Sequence, residues 1–179
     1  MNQETDQLRY PIGKFSKPAE ISSGDIKNWI KEIESLPAEL KDALNLLKSE
    51  QLNTTYRPEG WTLLQVVHHL ADSHMNSYMR FKLALSENSP VIKPYLEDKW
   101  AEFEDGKNAS VEISLMLLQS LHSRWVLFLR SLNDEDFEKG FIHPEHGRKI
   151  LLKEAVGLYA WHGKHHLNHI LKTKKINGW

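Results

Sequence analysis

The chain has 179 residues, 40% hydrophobic and 26% charged, with a formal net charge of -1. That fits one globular domain able to bury a core without staples, and near-neutrality gives it no electrostatic pull toward nucleic acid. Cysteine is absent, which excludes disulfides, thiolate zinc sites and cysteine nucleophiles.

Residues 1–24 contain Pro11, Gly13, Pro18 and Gly24 and no helical periodicity, and read as an extended arm laid on the domain. Tyr10, Ile12 and Phe15 are its candidate anchors. The opening residues are polar, without an apolar stretch of signal type, and no later run reaches membrane-spanning length. The expected location is therefore the cytoplasm, with no membrane partner.

The remaining residues, 25–179, read as a single helical domain. A first helix is expected from about Asp25 to the Lys48 region, because Ile26, Trp29, Ile30, Ile33, Leu36, Leu40, Ala43 and Leu44 recur three and four apart. Pro37 lies inside it and predicts a kink or a break. Asn53 to Gly60 is a loop, and Thr62 is a candidate N-cap for a long helix to about Ser86. In that helix Leu63, Val66, Val67, Leu70, His74, Met75, Tyr78, Phe81 and Leu85 form a broad stripe.

Prolines 90 and 94 end it. A short helical piece over about Leu96 to Phe103 then precedes a turn at Asp105-Gly106. A third long helix is expected over about Val111 to Leu132, followed by a turn or cap at residues 133–136. Residues 141–150 permit a small hairpin or a wide loop. The last helix runs from about Leu152 to Lys175, with Lys172, Lys174 and Lys175 as a C-terminal stop signal. Four long amphipathic helices predict an all-α four-helix bundle.

Ten histidines stand out, four of them in the eight residues from His162 to His169. Residues four apart on a helix lie almost above one another, which pairs His162 with His166 and His165 with His169. Leu151, Ala155, Leu158 and Tyr159 fall on the side of His162 and His166, so that pair continues the core-facing stripe. Two imidazoles so placed can chelate one divalent ion. A third ligand must come from another helix, where His68, His69 and His74 are available. His68 lies opposite the stripe and reads as exposed, His74 lies within it and reads as packed core, and His69 sits at its shoulder. Geometry favours His69 without deciding the matter. Three neutral imidazoles resemble a catalytic metal environment and suit several divalent metals. The zinc-protease pattern needs Glu after the first His, and Gly163 occupies that place.

The segments Tyr10-Pro11-Ile12-Gly13, Gly60-Trp61-Thr62, Gln65-Val66-Val67-His68-His69-Leu70-Ala71-Asp72-Ser73-His74, Leu158-Tyr159-Ala160-Trp161-His162 and the closing Gly178-Trp179 resemble the DinB/YfiT-like superfamily. The likeness is closest to the YfiT proteins of Gram-positive bacteria and covers essentially the whole chain. It implies a four-helix bundle with a three-histidine site for one divalent metal ion, zinc or nickel foremost, held by His69, His162 and His166. It also implies a homodimer, to which Trp29, Trp100, Trp125 and Trp179 could contribute a face.

The resemblance further implies an S-transferase that joins a small thiol of bacillithiol type to an electrophile. The older family label is metal-dependent hydrolase, and a third reading is a non-catalytic metal-binding stress protein. Asp72, Ser73, Asn76 and Arg80 lie near His69 on their helix and could orient substrate. Asp72 or a spare histidine could act as general base for a hydrolase.

Overall fold

The computed structural model describes residues 3–145 and 147–179. In chain order the elements are α1 (Gln3–Arg9), α2 (Ser23–Leu44), α3 (Ser49–Leu52), α4 (Leu63–Ser86), α5 (Glu97–Trp100), α6 (Glu104–Asn108), α7 (Val111–Arg130), α8 (Asp134–Phe137), β1 (Gly140–His143), β2 (Arg148–Leu151) and α9 (Leu152–Asn177). The expected four-helix bundle is present, formed by α2, α4, α7 and α9. Among the described residues, no helix is long and apolar enough to cross a membrane.

The long helices begin where the sequence supplies caps. Ser22 Oγ accepts from Asp25 N at 3.1 Å while Asp25 Oδ2 accepts from Ser22 N at 2.8 Å. Thr62 and Gln65 make the same reciprocal box at the start of α4, at 3.1 and 3.0 Å. Each box satisfies backbone donors that a helix start leaves free. At the other end of α9, Gly178 adopts φ 69°, a left-handed conformation that glycine takes without a side-chain clash.

Several expectations need correction. The arm is not extended throughout: Gln3–Arg9 is helical, its residues being tolerant of helix and Pro11 ending it. The first helix stops at Leu44, short of Lys48, and it runs through Pro37 without a break. Proline lacks the N–H that would bond the Ile33 carbonyl, and that carbonyl is taken instead by His122 Nδ1 at 2.6 Å. Asp105-Gly106 lies inside α6, where Gly106 packs against the Trp100 and Ala101 backbone. Trp125 is fully buried, which removes it from any partner's face, while Trp29 is half-buried and packs on Gly157. By contrast, the turn or cap expected at residues 133–136 is present as a capped helical turn, and of the hairpin and the wide loop allowed for residues 141–150 the hairpin forms, pairing Phe141 with Ile150.

Contacts fix the helix directions. Trp29 meets Gly157 near the start of α2 and of α9, Leu36 meets Gly163 in the middle, and Lys174 Nζ donates to Ala43 O at the end. These two helices are therefore parallel neighbours. His68 pairs with Ser114, His74 with His122, and Tyr78 with Phe128, so α4 and α7 are parallel neighbours too. Between α4 and α9 the order reverses, with His69 near His166 and Arg80 near Tyr159.

A parallel pair cannot be joined by a tight turn. The 24-residue α4 is about 36 Å long at 1.5 Å per residue, so residues 87–110 must travel back along the bundle. This crossover is pinned to β1, where Ile92 N donates to Ile142 O at 3.0 Å. It is pinned again to α4, where Gln65 Nε2 donates to Ala101 O at 2.9 Å. It thus lies along the seam between α4 and α9. The arm lies on α9 through Phe15 against Trp161 and Lys172 Nζ donating to Gln7 O at 2.9 Å.

The core has two apolar clusters. One is built around Ile30, Ile33, Phe81, Trp125 and Leu152, the other around Leu36, Leu40, Leu63, Leu70, Leu118 and Ile170. Close approach of α2 to α9 depends on Gly157, where a Cβ would sit 2.9 Å from the Trp29 ring. Gly157→Leu should therefore lower unfolding free energy by about 1–3 kcal/mol through overpacking. Chemical denaturation measures this, and an unchanged midpoint would contradict the packing described.

Candidate metal centre

α4 brings His69, and α9 brings His162 and His166, to the seam between those helices. His69 Nε2 and His162 Nε2 lie 3.3 Å apart. Ring centroids are separated by 5.3 Å for His69–His162, 4.9 Å for His69–His166 and 4.6 Å for His162–His166. One nitrogen from each of the three lies within 4.8 Å of the others, a set that can hold a metal ion. Two ligands at about 2.0–2.1 Å on a tetrahedral ion stand about 3.3–3.4 Å apart. The spacing of His69 and His162 therefore fits a shared ion, and the all-nitrogen donor set suits a divalent transition metal.

A second histidine group, His165, His166 and His169, meets the same distance test. Both ring nitrogens of His169 already have neighbours, Arg9 O at 3.2 Å from Nε2 and His166 Nδ1 at 3.3 Å from Nδ1. The group containing His69 is therefore the better ligand set.

Burial keeps these rings neutral, as ligation requires. It lowers His69 to about 4, aided by His165. Burial first, and then neighbouring imidazoles, drive His162 and His166 well below the ordinary range. His169 falls to about 3, mainly by burial, and His165 to about 4 by burial.

The remaining histidines of α4 are also inside. His74 is a core residue as its place in the stripe suggests, with Nδ1 2.9 Å from His122 Nε2 and Nε2 3.2 Å from His162 Nδ1. His68, expected to be exposed, is buried, 2.7 Å from Ser114 Oγ and 3.2 Å from Ala109 O. The end of the crossover and the start of α7 cover that side of α4, which a helical projection cannot show.

Two chambers meet at the triad. The larger, about 570 Å³, is lined by Ser73, Arg80, Tyr95, Phe141, His143, Ile150, Leu158 and Tyr159 and reaches His162. The smaller, about 370 Å³, is lined by Arg9, Tyr10, Tyr56, Arg57, Trp61, His165 and His169 and reaches all three triad histidines. Glu97 and Asp98 of the crossover line both. Burial raises the Glu97 carboxyl, with Asp98 and Glu145 adding to it.

Of the four polar residues of α4 expected near the site, Ser73 and Arg80 line the larger chamber while Asp72 and Asn76 line neither. Asn76 Nδ2 donates back to Asp72 O at 2.9 Å. His122, Tyr95, Glu97 and Asp98 went unrecognised in the sequence. His122 carried a signal, since it follows Leu118 by four and precedes Trp125 by three on the buried face of α7. Tyr95, Glu97 and Asp98 carried none, because the helical piece expected over about Leu96 to Phe103 has no stripe that says which way it faces.

The DinB superfamily model matches residues 32–170. The chain belongs to the DinB superfamily. It is 55% identical over 174 residues to proteins of Bacillus cereus (strain 03BB102) and Bacillus thuringiensis subsp. konkukian (strain 97-27). The match covers 97% of this chain and 99% of each of them, and both carry the name "Putative metal-dependent hydrolase". Among solved structures, YfiT from Bacillus subtilis aligns with TM-score 0.94 and 49% identity, over 97% of this chain and 99% of that one. That protein is described as "a probable metal-dependent hydrolase with an unusual four-helix bundle topology". The DinB fold expected from the sequence is thus the fold observed.

Buried neutral histidines make stability depend on pH. Ordinary imidazole binds a proton near 6.5 in the unfolded chain, whereas His69, His122 and His165 do so only near 4 in the folded one. Between these values the unfolded chain holds more protons, so stability falls as pH falls. Asp72, raised to about 6 by burial and then by Asp105, acts oppositely, but it is one carboxyl against several imidazoles. The thermal midpoint of metal-free protein should be flat above about pH 7 and should fall progressively toward about pH 5. A midpoint that holds or rises over that interval would contradict neutral burial of these rings.

Proposed function

We propose that His69, His162 and His166 hold one divalent ion, zinc or nickel, and that the protein transfers a low-molecular-weight thiol of bacillithiol type onto an electrophile. The carrying observation is the pair of chambers that both reach His162 and share Glu97 and Asp98. A hydrolase needs room for one substrate and water, while a two-substrate transfer needs two bays opening on one reacting centre. An ion held there supplies a Lewis acid that favours the deprotonated form of a thiol.

The chain's own residues divide the remaining work. The smaller chamber carries Arg9 and Arg57, which suit acidic groups on a thiol cosubstrate. His165 Nδ1 is buried there without a hydrogen bond among the described residues, leaving a ring nitrogen for a polar substrate atom. The larger chamber combines the apolar Phe141, Ile150 and Leu158 with Tyr95, Tyr159 and Arg80, a lining that suits a partly apolar electrophile. Arg80 and Tyr159 are already 3.4 Å apart and could bind a leaving anion or a carbonyl oxygen together. In the transfer the sulfur bonds to the electrophilic carbon, the thiol proton passes to solvent, and the leaving group departs with its bonding electrons. Trp61, beside His69 at a ring separation of 4.6 Å, screens the centre from water.

The hydrolase reading draws on the relatives' names and on Glu97, a carboxyl raised by burial that borders both chambers and could accept a proton from water. The two readings separate in one experiment. Untagged protein should contain a stoichiometric divalent metal by mass spectrometry, and His162→Ala should lose it. Zinc-loaded wild type should then conjugate bacillithiol to a fluorogenic alkylating agent, with His166→Ala slower by at least about 100-fold, the scale of a lost Lewis acid. Hydrolysis of ester or amide panels without thiol, and no thiol conjugation, would replace transfer with hydrolysis. Bound metal with neither activity would leave a metal-binding protein.

A further inference from the structure

We propose that His74 and His122 are positioning residues, which fix the tautomer of His162 so that its Nε2 is bare and turned toward His69 and His166. The inference rests on the metal reading of the triad and is independent of the reaction the ion serves.

The argument starts at Pro37. Because proline has no N–H, the Ile33 carbonyl inside α2 lacks its helical donor, and His122 Nδ1 stands 2.6 Å from it. A carbonyl can only accept, so His122 Nδ1 carries the proton. A neutral imidazole then has a bare Nε2, and this atom faces His74 Nδ1 at 2.9 Å. His74 must therefore donate from Nδ1, which leaves its Nε2 bare and facing His162 Nδ1 at 3.2 Å. His162 donates in turn from Nδ1, and its Nε2 lone pair is left pointing at the triad, 3.3 Å from His69 Nε2.

One backbone carbonyl, unable to donate, sets the direction of three consecutive hydrogen bonds. The relay crosses all four bundle helices, from α2 through α7 and α4 to α9, between the two apolar clusters. Adding a proton anywhere along it would place two N–H groups face to face and an unpaired charge inside the core. His166 shows the same arrangement independently. Arg9 O accepts from His169 Nε2 at 3.2 Å, so His169 Nδ1 is bare and takes the proton of His166 Nδ1 at 3.3 Å. The Nε2 of His166 is thereby left for the ion.

Metal-ligating histidines usually hand their second N–H to a carboxylate, a carbonyl or water. Here both ligands from α9 hand it to a neutral imidazole that is anchored on a backbone carbonyl, His169 directly on Arg9 O and His74 through His122 on Ile33 O. The ligands are oriented without any negative charge being placed behind them, so an ion in the site would keep its full charge for an anionic cosubstrate.

The first test is two-bond proton–nitrogen NMR on the full chain with nitrogen-15-labelled histidine, without metal and with zinc alone. His122, His74 and His162 should each carry a single proton on Nδ1 in both states, and His169 a single proton on Nε2. A proton on Nε2 of His122 or His74, or a doubly protonated ring at neutral pH, would overturn the relay. Zinc failing to bind while the tautomers stand as described would instead overturn the metal reading alone. The second test compares zinc dissociation constants by chelator competition. His122→Phe keeps a ring of similar size but neither hydrogen bond, and should weaken zinc binding about 10–100-fold, the usual effect of losing an outer orienting partner. His122→Gln, whose amide can donate to Ile33 O and accept from His74, should restore most of it. Unchanged affinity in the Phe variant, or equal loss in both, would overturn the proposal. Should the Phe variant not fold, the NMR measurement on wild type still decides.

Discussion

A layer of buried imidazoles running across the middle of the bundle is the constraint around which the rest of the molecule is arranged. His122, His74 and His162 link α7, α4 and α9, and the chain of hydrogen bonds ends on the Ile33 carbonyl of α2. A polar group sealed in a core without a partner costs about 1–3 kcal/mol, so such a layer survives only when its members are paired. Pro37 belongs to this requirement. In a helix it is ordinarily a defect, yet here the carbonyl it deprives is the fixed acceptor against which the layer is ordered. The apolar clusters on either side of the layer bury the rings deeply enough to keep them neutral, the form in which an imidazole can ligate a metal.

Topology does the second part of the work. Because α4 and α7 follow one another in the bundle and run parallel, the connection between them is long, and it has to pass over the seam where the triad lies. Its Tyr95, Glu97 and Asp98 become walls of the chambers because the chain must return by that route. The N-terminal arm closes the other side, with Arg9 serving at once as a chamber wall, through its side chain, and as the acceptor for His169, through its carbonyl. A rigid helical interior thus positions the triad nitrogens, and irregular segments wall the chambers beside them.

Much of this was legible beforehand. The 3.6-residue stripe over α2, α4, α7 and α9 gave the bundle, and Thr62 marked the start of α4. His162 and His166 stood out by their spacing and by lying on the apolar face, and His69 by its place at the shoulder of the next stripe. The misreadings have physical causes. His68 was placed outside because a helical projection knows only its own helix, not the α6–α7 junction that covers it. A break was expected at Pro37 because the rule for proline counts the lost donor and cannot count a replacement coming from residue 122. Asp72 looked like a site residue by proximity in sequence, but it lines neither chamber.

The sequence by itself determined the local terms: which segments are helical, which face of each is apolar, and which histidines lie on that face, since all these follow from spacing along one chain. Tertiary structure alone decided which histidines meet. It also decided that α2 and α9 run parallel and that a loop with no periodic signal walls the site. Those are contacts between residues up to 131 positions apart. They depend on how four amphipathic surfaces share one interior, and no pattern within a single helix encodes that choice.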